Sequence, residues 1–201
     1  YNAKETGRNK YKFFVEGMNT KEKNIFTLET KLYRALKNQE FEVHYQPKIE
    51  LKTKKIRSIE ALIRWNQNGK ILYPSEFLPT TEESGLILMI GKFVLENTAT
   101  MLSRIRLELG KEIYASINIS EIQFLDENLI PGLIAISNEL RIRPDLFEFE
   151  IKENIIMKDV QYSLNIIENL HKLGIKIAID NFGTGSSSLS KLKNCPVDII
   201  N

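Results

Sequence analysis

The sequence predicts an α/β fold on a parallel sheet, of the βα-barrel kind, from three observations. Strand-length apolar runs at residues 113–120, 146–152 and 176–182 alternate with helical patterns at 121–140 and 159–173. Strands separated by helices of that length run parallel. Acid or amide residues end successive apolar runs: Glu60, Asn118, the pair Glu150 and Glu153, and Asp180. The stretch Asp180-Asn181-Phe182-Gly183-Thr184-Gly185-Ser186-Ser187-Ser188-Leu189 then sets a carboxylate at a strand tip beside a glycine-rich loop. Parallel α/β folds display metal and phosphate sites in that position.

Taken in order, residues 20–39 carry Ile25, Leu28, Leu32 and Leu36 at helical spacing and predict a connector helix. Residues 41–51 and 56–65 read as strands around a charged turn at 52–55. Residues 74–84 and 86–109 read as helices, 113–120 as a strand, and 121–140 as a helix interrupted near Pro131-Gly132. A strand at 146–152 precedes a helix at 159–173 that stops at Gly174. A strand at 176–182, a short helix at 187–194 and a new strand from 197 complete the chain. An eight-stranded barrel takes about 250 residues. This chain reaches only its sixth strand, so the predicted barrel is incomplete at the C-terminus.

A net charge of +2 gives no signal for a nucleic acid polymer as partner. One cysteine excludes an internal disulfide, and with two histidines it disfavours a metal–thiolate centre; a reducing, cytoplasmic location is expected. The most apolar run, residues 85–95, contains Lys92 and is too short to cross a bilayer, although a longer parent chain could be membrane-anchored. His44 and His171 read as structural or exposed.

Hard oxygen donors at strand ends suit Mg²⁺ or Mn²⁺ rather than zinc. Taken singly, each donor also reads as a surface or capping residue. Strand alternation puts residues 60, 62 and 64 on one face, where the Arg64 guanidinium is placed to grip a phosphate through two hydrogen bonds.

Several segments together resemble the EAL family: Glu60-Ala61-Leu62-Ile63-Arg64-Trp65, Tyr45-Gln46-Pro47, Pro74-Ser75-Glu76-Phe77-Leu78-Pro79, Glu82-Glu83-Ser84-Gly85-Leu86-Ile87, Asn118-Ile119-Ser120, Phe147-Glu148-Phe149-Glu150-Ile151, the run from Asp180 to Leu189, and Pro196-Val197-Asp198. The resemblance extends from about Tyr33 to the end. Tyr1-Asn2-Ala3-Lys4-Glu5-Thr6-Gly7-Arg8-Asn9 resembles the closing segment of GGDEF domains. Together these imply the junction of a GGDEF–EAL tandem: a GGDEF tail at 1–16, a connector helix at 17–39, and an EAL domain at 40–201 forming a truncated barrel.

The resemblance implies an EAL-type modified TIM (βα) barrel whose first strand is antiparallel to the second. It implies cyclic di-GMP as ligand and its hydrolysis to the linear dinucleotide pGpG with Mg²⁺ or Mn²⁺. Glu60, Asn118, Glu150 and Asp180 would hold the first metal, with Asp180 bridging to a second beside Asn181. Glu60, Glu150 and Asp180 would be catalytic. Gln46, Glu60, Leu62, Arg64 and Asn118 would bind substrate, and Glu153 would steady the glycine loop through Ser187. An upstream GGDEF domain and a homodimer are the implied protein partners.

Three departures from the family pattern imply impaired catalysis. Asn181 stands where an aspartate is usual, Asn201 where a lysine is usual, and Lys152 where a threonine is usual. A further glutamate and glutamine of the family fall beyond residue 201. The alternative is a non-catalytic EAL domain acting as a nucleotide sensor or a protein-interaction module.

Overall fold

The computed structural model describes residues 16–180 and 196–200, with side chains from residue 27 onward. Along the sheet the order is β1 (Phe41–Ile49), β2 (Ile56–Gln67), β4 (Tyr114–Ile119), β5 (Phe147–Lys152), β6 (Lys176–Asp180) and β7 (Ile199–Ile200). A short β3 (Lys70–Leu72) pairs with β2 off this path. β1 is antiparallel to β2, as the family resemblance implies, and each later pair on the path is parallel.

The connections are helical: α2 (Pro74–Ser84) and α3 (Ile87–Leu109) before β4, α4 (Glu121–Phe124) and α5 (Leu129–Leu140) before β5, and α6 (Glu153–Lys158) and α7 (Val160–Lys172) before β6. Right-handed crossovers stack such helices on one face of the sheet. The residues aimed at that face form the core. In β2, Ile59, Ala61, Ile63 and Trp65 are buried while the alternating Glu60, Leu62 and Arg64 are half-buried. The same alternation buries Ala115, Ile117 and Ile119, then Phe147, Phe149 and Ile151, then Ile177 and Ile179. Before the sheet, α1 (Glu16–Lys37) packs on α2 and sends Leu32 and Ala35 fully into the core, so the last turns of the predicted connector are part of this domain. Phe41, Trp65 and Phe77 meet with ring centroids 5.6–6.0 Å apart, and Trp65 Nε1 donates to Glu40 Oε2 at 3.0 Å.

The other face is concave. β1 and β5 are separated by β2 and β4, about 14 Å on a flat sheet. Side chains stand roughly perpendicular to a sheet, yet the Lys48 ammonium on β1 bonds Glu150 Oε1 on β5 and lies 3.8 Å from Glu148 Oε1. Only a strongly curled sheet permits that, as a barrel wall requires.

Four local expectations need correction. The break between residues 121 and 140 falls at Leu125–Asn128, not at Pro131-Gly132. Pro131 sits in the first turn of α5, where its missing N–H leaves no intrahelical bond unmade. The second strand continues to Gln67 and turns back through Asn68 and Gly69, both at positive φ, into β3. Helix α6 starts directly after β5, so Glu153 opens a helix rather than ending a strand. Glu60 is not at a strand end either; it lies well inside β2. The predicted helix at 187–194 and the tail at 1–15 lie outside the described residues.

Candidate functional site

Backbone register arranges the concave face in rows. Gln46, Glu60, Ser116, Glu148 and Lys176 form one row across β1, β2, β4, β5 and β6. The next, toward the C-terminal ends, contains Asn118, Glu150, Ala178 and Ile199, and above it Lys152 pairs with Asp180. The four residues expected to share a metal therefore come from three successive rows of four neighbouring strands. Glu60 and Asn118 bridge two of these rows: Asn118 Nδ2 donates to Glu60 Oε1 at 3.0 Å. Glu150 is Asn118's register partner and is only 5% exposed. Asp180 is half-buried at the tip of β6. Among the described residues, no three acidic, histidine or cysteine side chains are gathered closely enough to hold an ion.

A cation nevertheless sits among these acids. The Lys48 ammonium donates to Glu150 and interacts with Glu148 and Glu60. Burial pulls the Lys48 pKa down, but the Glu150 hydrogen bond and the three carboxylates outweigh it and leave it raised. Burial raises the Glu148 pKa; Lys48 opposes this, and the Glu150 charge adds to it. Below them, Lys176 stacks on the Tyr114 ring with its ammonium 4.5 Å from the centroid.

Arg64 shares the face of Glu60 and Leu62 as alternation predicts. Its Nη1 donates to the Ile63 carbonyl at 2.8 Å and its guanidinium carbon lies 4.9 Å from the Tyr73 ring centre, so it is parked on an aromatic at the start of α2. Gln46 is exposed opposite Glu60. Leu62, Asn118, Ser120, Glu121 and Lys152 line a cavity of about 410 Å³ above β2 and β4, closed by apolar side chains of α2 and α3. That volume suits a small-molecule site. Ser120 caps α4, its Oγ accepting from Gln123 N, while Gln123 Oε1 accepts from Ser120 N at 3.0 Å. Glu153 is 7% exposed, and its Oε1 is buried without a hydrogen-bond partner among the described residues. Asn181, Ser187 and Asn201, the remaining expected site positions, lie outside the described residues.

The EAL domain family model matches residues 29–201. The chain belongs to the EAL family. It is 38% identical to the signaling protein YkoW of Bacillus subtilis over 98% of its length, covering 25% of that protein. It is 36% identical to the bifunctional diguanylate cyclase/cyclic di-GMP phosphodiesterase MucR of Pseudomonas aeruginosa, covering 98% of this chain and 29% of MucR. The chain thus spans less than a third of these relatives. Among solved structures, the PaMucR phosphodiesterase in complex with c-di-GMP superposes with a TM-score of 0.79 at 33% identity, covering 87% of this chain and 71% of that one.

In this EAL domain the donor chemistry fits a hard divalent cation. Carboxylates of three strands and an amide face one concavity, and the Lys48 ammonium already stands there as a positive charge. An amide can keep its N–H bond to Glu60 while offering its carbonyl oxygen to an ion. The resemblance did not single out Lys48. Its contact spans 102 residues of sequence and leaves no local signal, although its alternation with Gln46 predicts the same face.

Proposed function

We propose that this domain binds cyclic di-GMP on the concave face and that, within its parent protein, it hydrolyses the nucleotide to linear pGpG with Mg²⁺ or Mn²⁺, at reduced efficiency. The observation that carries the reading is the Asn118–Glu60 hydrogen bond with Glu150 in register beside it; Asn118 also lines the cavity. Cyclic di-GMP is the ligand in the matched MucR complex. Glu60, Asn118, Glu150 and Asp180 would hold the cation, with Asn181 toward a second. A bound divalent ion supplies charge that activates water and stabilises the leaving oxygen. The chain's own part is to orient the ligand: Gln46, Leu62 and Arg64 would contact it, with Arg64 leaving Tyr73 for a phosphate. Glu153, whose Oε1 is buried without a hydrogen-bond partner among the described residues, would turn its carboxylate to the glycine loop through Ser187.

Reduced efficiency follows from charge. Asn181 brings no carboxylate for a second cation, Asn201 no ammonium near the attacking water, and Lys152 sets a positive charge opposite Asp180 in register. The same observation favours a second reading, a domain that senses cyclic di-GMP without cleaving it. The tandem with an upstream GGDEF domain, a homodimer and a cytoplasmic location belong to this proposal. Among the described residues no helix is long and apolar enough to cross a membrane.

Incubating the chain with cyclic di-GMP and Mn²⁺ and resolving the products by chromatography tests it. Slow or absent linear product together with calorimetric binding is expected. Turnover near the ordinary enzyme median of about 10 s⁻¹ would overturn the impairment, and no binding would overturn the ligand. Asn181→Asp with Asn201→Lys should raise turnover.

A further inference from the structure

We infer that Lys48 is a tethered counter-cation: in the metal-free domain its ammonium occupies the electrostatic place of the divalent ion on Glu150, and it must swing away when an ion binds, so that this residue sets the domain's metal affinity. The inference rests on the metal reading proposed for Glu150.

Four observations support it. Glu150 is 5% exposed and Glu148 9%, and two buried carboxylates on alternate residues of one strand repel unless a positive charge stands between them. Lys48 is that charge, bonded to Glu150, 3.8 Å from Glu148 and within the field of Glu60. It comes from β1, across the concavity, rather than from a strand adjoining β5. Finally, its side chain is 36% exposed, so a four-carbon stem has an open route to solvent while Glu150 has none.

A hard divalent ion on Glu150 would stand against the Lys48 ammonium, which already holds Oε1. Two cations on one buried carboxylate repel strongly. Binding is therefore an exchange of one cation for another. The lysine keeps the empty face stable at the cost of some affinity for metal.

The test is calorimetric Mn²⁺ titration of the 201-residue chain as wild type, Lys48→Gln, Lys48→Met and Lys176→Gln, with melting in EDTA alongside. Lys176→Gln removes the same charge from the same face without touching Glu150, so it controls for the general field. Lys48→Gln keeps a donor for Glu150 in case Lys48→Met fails to fold. The expected result is Mn²⁺ affinity raised about tenfold in the Lys48 variants, equivalent to ~1.4 kcal/mol, with a smaller gain in Lys176→Gln. In EDTA the Lys48 variants should melt below wild type, and saturating Mn²⁺ should close that gap. If wild type binds Mn²⁺ and Lys48→Gln binds it no better than Lys176→Gln, the exchange is refuted while the metal reading stands. If no variant binds Mn²⁺, the metal reading fails and takes the exchange with it.

Discussion

On one face of the central sheet Ile59, Ile117, Phe149 and Ile177 pack against helices; on the other, one residue along the same strands, stand Glu60, Asn118, Glu150 and Lys176. The outer face is an ordinary hydrophobic layer in which position matters through volume. The inner face sets buried carboxylates against a half-exposed ammonium, where position matters through charge. β5 brings the two rules into one strand: Phe147, Phe149 and Ile151 are fully buried outward, while Glu148 and Glu150 are nearly as buried inward. A native chain accepts that cost where the buried groups have work to do.

Substitutions on the two faces should therefore part company. Phe149→Ala is expected to cost about 3–5 kcal/mol in urea denaturation, through lost burial and a residual cavity. Glu60→Gln, which still accepts from Asn118, should cost under about 1 kcal/mol and yet weaken cyclic di-GMP binding measured by calorimetry. Equal stability losses would erase the distinction between the faces.

Where helices meet above the sheet, space is the sharper test. A Cβ on Gly91 would lie 2.0 Å from the buried Gln123 Nε2, so Gly91→Ala should cost about 1–3 kcal/mol. It should also disturb the Ser120 cap beside the cavity. Ser120→Ala, losing only its side-chain part of that capping box, should cost about 1 kcal/mol in the same assay.

A further expected effect is confined to alkaline pH. Burial pushes the Tyr45 phenol up to about 12 from the ordinary 10. The unfolded chain would release this proton first, so the tyrosine's contribution is intact below pH 10 and is lost as pH rises toward 12. Tyr45→Phe should flatten that part of the stability–pH curve, and an unchanged slope would show the phenol is solvated.

The rows of the inner face were largely legible, because alternation fixes which residues of a strand share a side. Glu60, Leu62 and Arg64 fell together as expected, and Asp159 and Gly174 mark the ends of α7, with Asp159 accepting from Tyr162 N and Gly174 at φ 79°. Three features escaped for physical reasons. The Asn68-Gly69 turn into β3 carried a hairpin signal, but three residues of return strand are too few to show a period. Pro131-Gly132 looked like a breaker because proline position within a helix is decided by where the helix starts, and that start is Asn128, four residues beyond α4. Lys48 could be put on a face but not against Glu150, since contact across four strands depends on curl, which no strand encodes alone.

The most direct trial of the account is anomalous diffraction from crystals of this chain grown with Mn²⁺ and cyclic di-GMP. A manganese peak is expected on the concave face, within about 2.2 Å of oxygens from Glu60, Asn118, Glu150 and Asp180, with the Lys48 ammonium withdrawn from Glu150. A nucleotide bound elsewhere, or a concave face without manganese and with Lys48 still on Glu150, would contradict it.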